Sequence, residues 1–293
     1  MKIGWIGTGI MGSSMAGHLQ GSGHELYVFN RTRQKADSIL KRGGRWCESP
    51  ADITGKAEII FTMVGTPADV EEVYLGVQGI LSVKGACRIA VDMTTSQPSL
   101  AKKIFTAAAE SGISSLDAPV SGGDIGARNA ALAIMVGGEK RTYDQVVPLF
   151  QLMGQNIAYM GEAGAGQHTK MCNQILVAGN MIGACEALLY ASKIGLDEKV
   201  VIDIIGKGAA ASWAINNLGP RIVQGDFNPG FMVNHFVKDM EIALREAASA
   251  GLALPGLALV HQLYVALQAQ GQGACGTQAL MRVLRKLSGM AVS

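Results

Sequence analysis

The sequence predicts an α/β protein of two domains, a doubly wound sheet over residues 1–162 and an all-α C-terminal domain over 163–293, linked by a long helix. Three observations support this. Short apolar runs alternate with helical stretches through the first half, as parallel βαβ units require. The strand signal stops at residues 161–166, and only helical periodicity follows. A chain of 293 residues is also long for a single core.

The elements follow in order. Residues 2–6 read as a short buried strand, and residues 10–20 as a helix that starts inside a glycine-rich turn. Residues 25–29 form a second strand that ends at Asn30. A helix over 32–41, a strand over 59–63, a helix over 68–74 behind Pro67 and a strand over 88–92 come next. Residues 100–110 are an alanine-rich helix, followed by a strand through Leu116. Residues 131–136 and 156–160 read as a hairpin-like pair around a helix at 141–153. Residues 164–194 then form one helix of about 45 Å at 1.5 Å per residue. Met171, Ile175, Ala178, Ile182, Cys185 and Leu189 mark its apolar stripe at steps of three and four. Helices over 198–205, 233–250, 257–270 and 277–287 complete the chain, with breaks at Gly219-Pro220 and Pro229-Gly230.

Composition narrows the function classes. Hydrophobic residues make up 48% and charged residues 16%, a balance that builds a packed core and excludes a disordered chain. The net charge is +2, and the one basic cluster, residues 31–42, is interrupted, which argues against nucleic acid as a partner. The five cysteines, Cys47, Cys87, Cys172, Cys185 and Cys275, include no C-x-x-C pair, so neither a disulfide framework nor a zinc site is expected. Free thiols fit a reducing compartment. No apolar run reaches the ~18 residues of a membrane span, and the start turns to glycine too early for a signal peptide. The expectation is a cytoplasmic protein that binds no membrane.

The run Gly7-Thr8-Gly9-Ile10-Met11-Gly12 follows a strand and opens a helix. In that setting Gly7 permits a tight turn, Gly9 lets the backbone approach a pyrophosphate, and Gly12 lets helix and strand pack closely. Unpaired N–H groups at the helix start then face the phosphates. A plain glycine-rich turn is the competing reading. At the end of the second strand an NAD-preferring site would carry an acid. This chain has Asn30-Arg31-Thr32, where a guanidinium suits a 2′-phosphate, so NADP is favoured over NAD. Arg31 stacking on the adenine and tolerating both cofactors is the alternative.

Lys170 lies near the start of the long helix, with Asn173 and Gln174 three and four residues on and hence on its face. Such a lysine can move a proton at an alcohol or carbonyl oxygen if burial brings its pKa toward neutrality. On pattern alone, a surface lysine opening a helix is the plainer reading. Asp117-Ala-Pro-Val-Ser121-Gly122-Gly123 ends a strand on the carboxyl side of the sheet, where ligands of open α/β folds bind. Ser121 and the N–H groups of Gly122 and Gly123 could hold a carboxylate there, or form a simple loop. Lys238-Asp239, in the middle of a helix, reads as a solvated charged face. His18, His24, His168, His235 and His261 lack metal-ligand spacing, and no metal is implied.

Taken together, these motifs resemble the β-hydroxyacid dehydrogenase family over essentially the whole chain. The matching stretches are residues 7–12, 117–123, 164–173 and Lys238-Asp239. The resemblance implies a Rossmann-type N-terminal domain, a helical C-terminal domain, and a homodimer or homotetramer joined through the helices. It implies Lys170 as general acid/base, with Ser121, Gly122 and Asn173 holding a small carboxylate-bearing substrate. Met63, Val64 and Thr95 would line the nicotinamide ribose, and Lys238 would lie near the nicotinamide with Asp239 beside it. Many members carry Asn four residues after the lysine, where this chain has Gln174 preceded by Asn173. Within the family the sequence is similar to bacterial 3-hydroxyisobutyrate dehydrogenases, sharing residues 166–174 and Gly208-Ala-Ala-Ala-Ser-Trp213. That implies interconversion of a 3-hydroxy acid and its semialdehyde. Trp213 would wall the substrate pocket, unless it is a core tryptophan. The alternatives are reduction of a related semialdehyde (tartronate, glyoxylate or succinic), or a non-catalytic dinucleotide-binding protein. Retention of Lys170 speaks against the last.

Overall fold

A computed structural model of the chain describes residues 1–291. The chain divides into two compact units, Met1–Lys170 and the segment from Met171 onward. The first holds β1 (Lys2–Ile6), α1 (Ile10–Gly21), β2 (Glu25–Phe29), α2 (Asp37–Leu40), β3 (Arg45–Trp46), α3 (Pro50–Thr54) and β4 (Ile59–Thr62). It continues with α4 (Pro67–Leu75), β5 (Ile89–Asp92), α5 (Pro98–Glu110), β6 (Ser114–Asp117), β7 (Val120–Ser121) and α6 (Gly123–Arg128). β8 (Leu132–Gly138), α7 (Lys140–Phe150) and β9 (Gly154–Gly161) complete it. The helix expected over 32–41 is a 3₁₀ turn, Arg33–Ala36, running into the short α2.

Strands β3, β2, β1, β4, β5 and β6 lie side by side and parallel, in that order. β8 reverses direction, pairing antiparallel with β6 and, in the same register, with β7. The expected hairpin is not one: β8 and β9 are parallel neighbours. The physical reason is that parallel neighbours need a long crossover, which α7 supplies, whereas a hairpin needs only a short turn.

Alternation along the strands sends successive side chains to opposite faces. Trp5, Val28, Phe61 and Val91 share one apolar layer with Met15 and Leu19 of α1 and Phe150 of α7. Tyr27, Ile60 and Ala90 share the other with Tyr74 of α4 and Leu100 and Ile104 of α5. This two-sided cover is the doubly wound arrangement, and it leaves the carboxyl ends of β1, β4, β5 and β6 to the loops.

The second unit is helical. α8 (Ala165–Lys193) starts within the first unit, and α9 (Glu198–Ile205), α10 (Gly219–Val223), α11 (Val233–Ser249), α12 (Pro255–Ala269) and α13 (Leu280–Leu287) follow. Met181 and Leu188 of α8, Ile222, Phe236, Met240, Tyr264 and Leu280 build its core. Gly219-Pro220, expected as a break, instead forms the first turn of α10 after a π-helical segment, Ala214–Leu218. A proline in the first helical turn loses no hydrogen bond, because the N–H there has no partner within the helix. By length and composition α8 is also apolar enough to cross a membrane, with a third of the qualifying stretch buried within the chain. The expectation from the sequence concerned an unbroken apolar run of ~18 residues, and α8 contains none of that length. Asn180 and Glu186 interrupt any unbroken apolar run in α8 while leaving its average high.

Candidate active site

The glycine turn has the geometry that a dinucleotide requires. Gly7 has φ +95°, and a Cβ there would meet the Met63 carbonyl oxygen at 2.1 Å. A Cβ on Gly12 would meet the Gly7 carbonyl oxygen at 2.0 Å. A Cβ on Gly9 would meet nothing within 4 Å, so open space lies where a phosphate would approach. α1 starts at Gly9 without a side-chain cap, leaving the first-turn N–H groups of Ile10, Met11 and Gly12 for a ligand. Thr8 is buried, and its Oγ1 has no hydrogen-bond partner among the described residues. An unpaired buried hydroxyl beside an uncapped helix start fits a phosphate acceptor. At the end of β2, Asn30 Oδ1 accepts from Thr8 N at 3.0 Å, and Asn30 Nδ2 donates to the Thr32 carbonyl at 2.8 Å. Arg31 forms an ion pair with Asp69 at 2.7 Å.

The carboxyl ends of β4, β5 and β6 are joined by a polar network. Thr62 Oγ1 donates to Asp92 Oδ1 at 2.8 Å, and Thr94 N donates to the same oxygen at 3.0 Å. Thr94 Oγ1 accepts from Val64 N at 2.9 Å, which fixes Met63-Val64 and positions Thr95 next in the chain. Asp92 and Asp117 are register partners on β5 and β6, and both are buried. Burial pushes both carboxyls up to about 6, against hydrogen bonds that favour the charged forms. A cavity of about 10 Å³, the size of one water, is lined by Asp92, Ser115 and Asp117.

Asp117 also anchors the start of α8. Its Oδ1 accepts from Gly164 N and its Oδ2 from Gln167 N, both at 2.8 Å. Gln167, fully buried, donates through Nε2 to the Thr94 carbonyl at 2.7 Å and accepts at Oε1 from Ser96 N at 2.9 Å. These contacts set the azimuth of Lys170, one turn further on. Lys170 is only 6% exposed, and its Nζ donates to the Val120 carbonyl at 2.8 Å. The surface-lysine reading is thereby corrected: an ammonium at this depth needs such an acceptor. Val120 leads directly into Ser121, Gly122 and Gly123. The two glycines have φ +129° and +63°, backbone that favours glycine and that turns the chain from β7 into α6. Lys170 and the Ser121 loop are therefore brought together.

In the second unit, Lys238-Asp239 of α11 is not the solvated face read from the sequence. Asp239 is 2% exposed, accepts from Gln174 Nε2 at 2.7 Å and lies 3.0 Å from Lys238 Nζ. Gln174 is buried, with its amide nitrogen engaged by Asp239, while Asn173 is half-buried. Trp213 is 62% exposed, which rules out the core-tryptophan reading. Asp92, Thr94 and Gln167 carried no role in the sequence reading, and Asp117 only marked the start of a motif. The available signals were acids at strand ends and an amide beside a predicted helix start.

The two units are matched separately by known families. Residues 2–161 match the NAD binding domain of 6-phosphogluconate dehydrogenase, and residues 164–284 match the NAD-binding domain of NADP-dependent 3-hydroxyisobutyrate dehydrogenase. The glycine turn and these matches define an NAD(P)-dependent oxidoreductase of two-domain type. An uncharacterized oxidoreductase of Bacillus subtilis is 54% identical over 96% of this chain and 98% of its own. A probable mitochondrial 3-hydroxyisobutyrate dehydrogenase-like protein of Arabidopsis thaliana is 49% identical over 99% and 87%. The solved structure of the 3-hydroxyisobutyrate dehydrogenase of Mycobacterium tuberculosis with L-serine superposes with a TM-score of 0.87 at 29% identity, covering 97% of this chain and 99% of that one. The chain belongs to the 3-hydroxyisobutyrate dehydrogenase family of β-hydroxyacid dehydrogenases.

Proposed function

We propose that the protein interconverts a 3-hydroxy acid and its semialdehyde, with 3-hydroxyisobutyrate as the substrate and Lys170 as general acid/base. The observation behind this reading is the buried Lys170 ammonium, 2.8 Å from the Val120 carbonyl and next in space to the loop 121–123. Ser121 and the N–H groups of Gly122 and Gly123 hold the substrate carboxylate, with Asn173 on the hydroxyl side. When bound, the nicotinamide accepts or supplies the hydride. In oxidation Lys170, as the neutral amine, takes the hydroxyl proton and becomes the ammonium; in reduction the ammonium gives that proton to the carbonyl oxygen. Within the helical unit Asp239 pairs with Lys238 and accepts from Gln174, and on the family resemblance we assign Lys238 to the nicotinamide and the exposed Trp213 to the pocket wall. L-Serine in the mycobacterial relative is itself a 3-hydroxy acid, which supports this substrate class.

The test is a panel of 3-hydroxyisobutyrate, glycerate, serine, threonate and 4-hydroxybutyrate with NADP+ and NAD+, and tartronate semialdehyde with the reduced cofactors. Highest kcat/KM on 3-hydroxyisobutyrate is expected, and preference for a substrate without a 3-hydroxyl would reject the reading. We also propose a homo-oligomer joined through the helical unit, supported by the exposed Leu176, Tyr190, Ile194 and Val200. A monomer by sedimentation at micromolar concentration would refute it.

A further inference from the structure

We propose that Asp69 sets the balance between NADP and NAD by holding Arg31, so that one carboxylate at the start of α4 limits how strongly a 2′-phosphate is bound. The inference rests on residues 30–32 being the adenosine-ribose end of the cofactor site. Asn30 is engaged on both sides, by Thr8 N and by the Thr32 carbonyl, and brings no charge. It neither offers a carboxylate to the ribose hydroxyls nor repels a phosphate. Selection therefore passes to the charged groups next to it.

Arg31 is the cation there. Its side chain is 80% exposed, and its Nη1 donates to Asp69 Oδ1 at 2.7 Å. Asp69 is fixed by a second set of contacts. Its Oδ2 accepts from Thr66 N and Thr66 Oγ1, both at 2.9 Å, while Asp69 N donates to Thr66 Oγ1 at 3.2 Å. This reciprocal cap starts α4. A carboxylate held by a helix cap does not swing aside when a phosphate arrives. An exposed ion pair is weak, and a guanidinium binds a phosphate dianion more strongly, so Arg31 can turn to the 2′-phosphate. That dianion then lies close to Asp69, and repulsion cancels part of the gain. Arg31 favours NADP, Asp69 offsets it, and NAD meets no opposing charge at Asn30.

Isothermal titration of NADP+ and NAD+ without substrate tests the proposal. Asp69→Asn keeps an acceptor for the Thr66 cap and removes the charge. It is expected to tighten NADP+ by roughly tenfold while NAD+ changes less than about twofold. Asp69→Ser, neutral and shorter, gives the same readout if asparagine disturbs the cap. Arg31→Ala serves as the reference and is expected to weaken NADP+ by about tenfold, with little effect on NAD+. If both Asp69 variants leave the ratio of the two Kd values unchanged while Arg31→Ala shifts it, the role of Asp69 is overturned and the strand-end reading stands. If Arg31→Ala also leaves the ratio unchanged, the strand-end reading fails and the proposal with it.

Discussion

The Lys170 ammonium donates to the Val120 carbonyl at 2.8 Å, tying the second turn of α8 to the strand that leads into Ser121. The Val120 carbonyl holds this buried head beside β7. Its proton is thereby presented toward the loop whose N–H groups suit a carboxylate.

Lys170→Met keeps the length and packing of the side chain and removes the proton donor. Turnover is expected to fall by about 10²–10⁴, the usual contribution of a positioned acid/base. The Kd for the cofactor should stay within about twofold, because the glycine turn is untouched. Steady-state kinetics with parallel titration calorimetry checks this, and near-full turnover in the variant would remove Lys170 from the mechanism.

The two buried acids give a pH dependence of stability. Asp92 and Asp117 ionise near 6 in the folded chain, mainly because burial disfavours the charge, against an ordinary value of 3.8. The folded state therefore holds more protons than the unfolded state between about pH 4 and 6. Their contribution to stability is present below that window and lost as pH rises through it. Asp92→Asn can still accept from Thr62 and Thr94 at Oδ1, so it should flatten this fall. Thermal melts at pH 4.5 and 7.5 should show the variant gaining on wild type at the higher pH, by about 2 kcal/mol. A difference between the two proteins that is the same at both pH values contradicts the assignment.

Two of the turn glycines, Gly12 and Gly9, should respond differently to alanine. Gly12→Ala drives a methyl into the Gly7 carbonyl and should lower the melting temperature by several degrees. Gly9→Ala meets open space at φ −69°, so stability should be nearly unchanged while cofactor affinity falls. Equal destabilisation by both substitutions would argue against the phosphate cradle.

Much of the first unit was legible because its signals are local. β1, β2 and the turn between them follow from apolar runs, alternation and glycine spacing, and α9 matches its expected bounds. β3, α3, β7 and α6 were missed because two to six residues leave no period to detect. The reversal at β8 was also hidden, since strand direction is fixed by pairing partners distant in sequence. At the site, Lys170 and Ser121 were visible as residue types, but their proximity was not. The burial of Asp239 was misread for a related reason: a Lys-Asp pair looks solvated until Gln174 is seen to cover it. Asp69 offered a readable sign in Thr66-Pro-Ala-Asp69, the spacing of a reciprocal cap, but its hold on Arg31 was not readable from that.

The contacts around Gln167 and Lys170 have an evolutionary corollary. Gln167 binds the carbonyl of Thr94 and the N–H of Ser96, and Lys170 binds the carbonyl of Val120. All three partners are peptide groups, present whatever side chain the codon specifies. Neutral drift at positions 94, 96 and 120 can therefore change the surroundings of the site without erasing these anchors, with proline at 96 the exception because it lacks the N–H. Lineages could diversify their substrates around this lysine while its orientation is inherited through the backbone.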